Sequence, residues 1–191
     1  MRLEDLKGVH QYDNVYLVGN GDCVDANTLK NPSFATNLIN RIYPQTDWRP
    51  KYYVCTDTFV LDNYKDEVFE NIEACELAFV PVEAMPKYGR RNVVPLIIKH
   101  EPSDLPITEG IYSYGTTLFL ALQIAEWMKY EEATFVNCDL YFGKQLHFYT
   151  KDDVMNKLSV EELGRRRWRS ILAHYKMNQY ANTHNMKLTY R

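Results

Sequence analysis

Gly19-Asn20-Gly21 directly follows the short apolar run Val15-Tyr16-Leu17-Val18. Glycines at such a place let backbone N–H groups approach a phosphate or ribose, and an asparagine amide both donates and accepts hydrogen bonds. A plain turn accounts for Gly-x-Gly equally well. No Gly-Lys-Ser/Thr follows, which excludes a Walker loop, and the full dinucleotide fingerprint is also missing. Ser113-Tyr114-Gly115-Thr116-Thr117 is a second block. A small, hydroxyl-rich helix start can hold an anion or carboxylate, and it can equally serve as an ordinary N-cap. The third block is Asp139-Leu140-Tyr141, with His147-Phe148-Tyr149 close behind. Histidine is the usual general base near neutral pH. Among five histidines, His147 stands out because it follows a strand end and is flanked by aromatics. His174 and His184 read as structural, and His10 and His100 have no motif around them.

No Asp-x-Asp pair stands near a strand end. Asp22 and Asp25 are spaced wrongly, and Asp152-Asp153 lies in a polar stretch. A catalytic divalent ion is normally held by paired carboxylates, so the expectation is metal-free chemistry with no cofactor. The four cysteines, Cys23, Cys55, Cys75 and Cys138, form no Cys-x-x-Cys pair, which argues against zinc. Cys55 and Cys138 close apolar runs, so buried free thiols and a reducing, cytoplasmic compartment are expected. Residues 1–10 lack the apolar stretch of a signal peptide, and no window approaches 18 apolar residues, so no transmembrane segment is expected. A net charge of −3 argues against nucleic acid or broad attraction to anionic membranes. Arg165, Arg166, Arg167 and Arg169 are a local exception: a solvated helix face, or a contact for phosphate or an acidic acceptor.

These blocks need elements to position them. The 191 residues fit one domain spanning the whole chain, and 15 tyrosines suit partly wet clefts. Strands are predicted at 15–18, 34–42 (broken at Asn40-Arg41), 52–55, 77–80, 133–136 and 186–190. Helices are predicted at 64–75, at 116–129, and from a Ser159 cap with Glu162 three residues on to about His184. Trp168, Ile171, Leu172 and Tyr175 mark one face of that last helix. Residues 82–110 read as irregular because Pro86, Pro95, Pro102 and Pro106 interrupt them. Strands alternating with helices predict an α/β fold: a Rossmann-like, mostly parallel sheet with helices on both faces. Ligands bind such sheets beyond the carboxyl ends of the strands, so Gly19 to Asp22, Asn40, Thr56-Asp57 and Asp139 to Tyr141 become the informative positions.

Together the pieces resemble the sialyltransferases, of both the bacterial polysaccharide type and the animal type. The resemblance rests on Val15 to Gly21 with Asn40 downstream, on Ser113 to Leu122, and on Asp139-Leu140-Tyr141 followed by His147-Phe148-Tyr149, in the family's order. It implies a modified GT-A domain that transfers sugar from a cytidine monophosphate donor to a glycan acceptor, inverting the anomeric centre without metal. In that reading Gly19, Asn20, Gly21 and Asn40 hold the nucleotide, together with Thr56, Asp57 and Asp139. Ser113, Gly115 and Thr116 bind cytidine or the sugar carboxylate. Tyr141 hydrogen-bonds the departing phosphate, with Tyr149 beside it, and His147 acts as base or phosphate ligand. Two features depart from the family. No histidine stands where the bacterial general base lies, before the last helix, and Asp22-Cys23 replaces a Pro-Ser.

Two alternatives share these features. A hydroxymethylpterin pyrophosphokinase-like enzyme has a similar first loop and Ser-x-Gly-Thr helix start but uses ATP with magnesium. A non-catalytic nucleotide- or sugar-binding module would need no base. Sequence leaves the oligomeric state open.

Overall fold

The computed structural model describes residues 1–10, 14–20, 29, 32–99, 106–138 and 159–190. Apolar runs buried on both faces pair in parallel into one sheet. In chain order they are β1 (Asn14–Val18), β2 (Ser33–Thr36), β3 (Tyr52–Val54), β4 (Leu77–Pro81), β5 (Val93–Leu96), β8 (Glu132–Val136) and β9 (Lys187–Tyr190). Their spatial order is β5-β4-β3-β2-β1-β8-β9, every pair parallel. A two-stranded parallel sheet pairs β6 (Ile98–Lys99) with β7 (Ile111–Tyr112). The fold is therefore α/β with a mostly parallel sheet, as the alternation of elements requires.

Strand alternation sorts the core into two layers. Val15 and Leu17 of β1 join Phe34, Tyr52 and Phe79 under helix α4 (Thr117–Trp127). Val18, Ala35, Tyr53 and Val80 face the other way. That side is covered by α1 (Thr58–Asn63), α2 (Lys65–Ala74) and a 3-10 helix at Ile39–Gln45. Phe119 to Ala125 are all buried, so α4 is enclosed nearly all round, as a helix within a core must be.

Two expectations are corrected. The second strand stops at Thr36, because Asn37 turns into the left-handed region at φ 50° and the chain enters the 3-10 helix. Ile39, Ile42 and Tyr43 then fill the core from that helix rather than from a strand. The stretch 82–110 is not uniformly irregular. It supplies β5 at the sheet edge, where Pro95 costs no ladder hydrogen bond, and a one-turn helix, α3 (Met85–Tyr88), with Pro86 in its first turn.

The last helix, α5 (Val160–Thr183), begins as expected: Ser159 Oγ accepts the Glu162 N–H at 3.2 Å. Its buried face is Ala173, Met177 and Ala181. Small side chains let it lie close to α4 and β9. The bulky residues at 168, 171, 172 and 175 share one face, as their spacing predicts, and that face is exposed. α5 ends beside the start of β9, where the Lys187 N–H donates to the Glu131 carbonyl. Its earlier half therefore projects past the carboxyl ends of the strands.

Candidate functional site

The chain lays β2 to β5 on one side of β1 and β8 to β9 on the other. That reversal makes the crevice between the carboxyl ends of β1 and β8 the topological switch point, where open parallel sheets take ligands. Gly19 and Asn20 leave β1 there, and Asn137 and Cys138 leave β8.

Gly19 is dictated by close approach. A Cβ added to it would lie 2.6 Å from the Asn137 carbonyl oxygen and 3.1 Å from Cys138 Sγ. The Gly19 N–H also donates to the Val136 carbonyl at 2.9 Å, extending the β1–β8 ladder into the crevice. Asn20 Nδ2 donates to the Thr36 carbonyl at 3.1 Å, tying the loop to the end of β2. Asn137 is 5% exposed, sits at φ 55°, and its Nδ2 has no hydrogen-bond acceptor among the described residues. A buried donor without an acceptor costs about 1–3 kcal/mol. Such a group at a switch point is a ready contact for a bound ligand.

The α4 N-terminus closes the other side. Thr116 Oγ1 caps the Leu118 N–H at 3.3 Å, and the Gly115 N–H donates to Ser113 Oγ at 3.1 Å. Gly115 takes φ 81° and nothing lies within 4 Å of its missing Cβ, so it serves backbone conformation beside open space. Thr117 Oγ1 reaches Thr56 Oγ1 at 3.5 Å and Asn37 Oδ1 at 3.4 Å. The ends of β2 and β3 thus meet the first turn of α4, whose unpaired N–H groups carry a partial positive charge.

A buried polar network fixes this corner. The Asn37 carbonyl accepts from Tyr53 Oη (2.7 Å) and Asn71 Nδ2 (3.1 Å). Asn71, fully buried on α2, also donates to Asn40 Oδ1 (3.2 Å) and accepts from Tyr43 Oη (2.9 Å). Burial pushes the Tyr43 and Tyr53 hydroxyls well above the usual phenol range, so both remain donors. The network holds Asn37 in its left-handed conformation with its side chain toward Thr117.

Seven expected site residues lie in this region: Gly19, Asn20, Thr56, Asp57, Ser113, Gly115 and Thr116. Asp57 caps α1, its Oδ1 accepting the Phe59 and Val60 N–H groups at 2.9 and 3.4 Å, which is reason enough for an aspartate there. Asn40 stands apart, in the 3-10 helix, with Nδ2 on Glu70 at 2.7 Å. Asn37 occupies the carboxyl end of β2 that the sequence reading gave to Asn40. Gly21, Asp139, Tyr141, His147 and Tyr149 lie outside the described residues. Asn37 and Asn137 were missed, their only signal being a polar residue that closes an apolar run; Thr117 stood in the hydroxyl-rich helix start but was not among the expected site residues.

A groove of about 500 Å³ also exists, at the opposite, amino edge of the sheet. Its charges are already engaged. Arg49 stacks on Tyr43 and donates to two backbone carbonyls, and Lys51 pairs with Glu76 at 3.7 Å. Topology and polar chemistry both favour the carboxyl edge. Among the described residues no group of three or more His, Cys, Asp or Glu is placed to hold a metal, and no helix is long and apolar enough to cross a membrane.

No family model matches the sequence, and no curated protein does. Solved structures do match. The sialyltransferase CstII from Campylobacter jejuni in complex with the substrate analogue CMP-3FNeuAc superposes with a TM-score of 0.54 at 15% identity, over 93% of this chain and 80% of that one. The fold is that of a sialyltransferase. The CstII complex with cytidine-5'-monophosphate gives 0.55 at 14% identity, over 95% and 81% of the two chains. A further sialyltransferase structure, CST-II with a trisaccharide acceptor and CMP, gives 0.54 at 13% identity over 93% and 80%.

Proposed function

We propose that this protein is a glycosyltransferase that moves a sugar from a CMP-linked donor to a glycan acceptor, with inversion and without a metal ion. The observation that carries this reading is the placement of Gly19, Asn37, Thr56 and the α4 N-terminus along the carboxyl edge of the sheet, beside its switch point. The superposed structures that share the fold are of proteins in complex with CMP or a CMP-sugar analogue.

In the reaction an acceptor hydroxyl oxygen attacks the anomeric carbon while the bond to the phosphate oxygen breaks. The hydroxyl proton passes to a base, and CMP departs. Gly19 and Gly21 allow the backbone to approach the nucleotide, and the amides of Asn20, Asn37 and Asn137 supply neutral donors. The dipole of α4 favours the anionic end of the donor. Tyr141 and Tyr149 are the proposed hydrogen-bond donors to the leaving phosphate, which must be stabilised without metal charge. His147 is the proposed base. The sequence feature that supports metal-free transfer is the lack of paired carboxylates after any strand.

Donor turnover tests the proposal. CMP-sugar hydrolysis or transfer is expected to persist with a chelator present and to fall by about 10²-fold or more in His147→Ala and Tyr141→Phe. Full activity in both variants, or activity only with magnesium and ATP, would sink it.

A further inference from the structure

Asn137 combines two unfavourable features in one residue. Its backbone is left-handed, at φ 55°, and its side chain is 5% exposed with no acceptor for Nδ2 among the described residues. Buried amides nearly always find partners, so a donor left over marks a place that something else fills. The neighbouring donors are already used. The Gly19 N–H goes to the Val136 carbonyl at 2.9 Å, and the Cys138 thiol lies against the Val136 and Leu17 carbonyls at 3.2 and 3.6 Å. The wall where β1 and β8 end therefore offers a ligand a neutral N–H donor shielded from water.

The chemistry of that donor selects what meets it. An amide N–H pairs with an acceptor, and in so buried a place the acceptor must shed its water. A phosphate dianion loses far more hydration than a single neutral donor returns. The first turn of α4 suits the phosphate better, with the Thr56 and Thr117 hydroxyls and the positive end of a helix dipole. That turn meets the ends of β2 and β3. Asn137 follows β8, two strands from β2 in the order β2-β1-β8. At about 4.8 Å per strand that is roughly 10 Å away. A nucleotide lying across the strand ends with its phosphate at the α4 turn carries its base toward β8. A base carbonyl oxygen is neutral and strongly accepting, so it can enter the buried wall.

We propose that Asn137 is a specificity-determining residue whose Nδ2 donates to the carbonyl oxygen that a pyrimidine carries beside its glycosidic bond. Adenine has no carbonyl, so its nucleotides leave the donor unfilled. Cytosine and uracil share the oxygen, so Asn137 selects the pyrimidine class and leaves the choice within it to other contacts. The role presupposes the nucleotide site proposed above and puts the base over β8.

Asn137→Gly deletes the amide and suits the left-handed backbone. Affinities of the full chain for CMP, UMP and AMP are read by calorimetry, with melting curves of the ligand-free proteins alongside. The parent should bind CMP and UMP more tightly than AMP. Asn137→Gly should lose about tenfold in CMP and UMP affinity, while AMP affinity changes by less than about twofold. Without ligand the variant should melt no lower than the parent, because the orphaned donor and the left-handed side chain are both gone. A merely structural asparagine gives the reverse, a lower melting temperature with all three affinities falling together, and that result overturns the proposal. AMP bound by the parent as tightly as CMP also overturns it. So does a variant that binds CMP as well as the parent does; the nucleotide site then stands and only the role of Asn137 falls. A parent that binds none of the three removes the nucleotide site itself, and the base contact with it.

Discussion

Replacing Gly19 by alanine would push a methyl group against backbone rather than side chain. The added Cβ meets the Asn137 carbonyl oxygen at 2.6 Å, which real Cβ contacts essentially never show, and Cys138 Sγ at 3.1 Å. A side chain could swing away; a carbonyl at the end of a paired strand cannot. β1 and β8 must separate at their carboxyl ends, straining the 2.9 Å hydrogen bond from the Gly19 N–H to the Val136 carbonyl. Overpacking of this kind costs about 1–3 kcal/mol. In a domain of this size each kcal/mol lowers the melting point by about 2–4 °C, so Gly19→Ala should lose roughly 2–12 °C. Gly115→Ala is the control. Nothing lies within 4 Å of its added Cβ, and only the left-handed φ of 81° opposes it, at about 1 kcal/mol. The assay is thermal unfolding of both variants with and without CMP. Gly19→Ala should also weaken CMP binding, because the crevice itself moves. An unchanged melting temperature in Gly19→Ala would refute the reasoning, since the crevice walls could not then be as close as described.

Other consequences follow from the same geometry. Thr117→Val keeps the shape of the first α4 turn but removes the hydroxyl between Thr56 and Asn37. Because both contacts are long, stability should change by less than about 1 kcal/mol. CMP affinity, read by calorimetry, should fall about fivefold or more. His10, stacked on Tyr130 and bonded through Nε2 to the Tyr52 hydroxyl, has its pKa held below 6.5 by burial and by the Lys51 charge, against an opposing pull from Glu76. The folded state then binds fewer protons than the unfolded one. Stability should be fully present above 6.5 and fall as the pH drops below it toward the lower folded value. His10→Gln should flatten that decline in melts taken across the range. Burial pushes the Cys55 and Cys75 thiols up to about 12. Both should resist alkylation of the native protein at neutral pH while the partly exposed Cys138 reacts, as mass spectrometry of digests would show.

Much of this architecture is legible in the amino-acid sequence. Strand ends are short and punctuated, so Val15 to Gly19, Tyr52 to Thr56 and Ala133 to Asn137 could be read directly from apolar runs closed by polar or glycine residues. The α4 start was legible because Ser113 to Thr117 combines hydroxyls with a glycine before a strongly apolar helix. The Asn37 role was not. Two asparagines lie three residues apart, and which one ends β2 depends on where the backbone turns left-handed, a choice made by Tyr53 and Asn71 from distant parts of the chain. Pro95 hid β5, because a proline weakens a strand reading unless the strand is already known to be an edge. The packing face of α5 was not legible either. Periodicity identifies a row of large apolar residues on one face, but the row that packs is the one whose small side chains, Ala173 and Ala181, permit close approach.

The most direct test of the nucleotide site is a thermal-shift comparison of CMP, UDP, GDP and ATP on the full chain, repeated for Asn37→Ala and Thr117→Val. A ligand at about a hundredfold its dissociation constant adds about 2.7 kcal/mol of apparent stability. CMP should raise the melting temperature of the parent chain more than the other three nucleotides, and both variants should lose most of that shift. No shift with CMP, or an equal CMP shift in parent and variants, would contradict a cytidine nucleotide site at the carboxyl edge of this sheet.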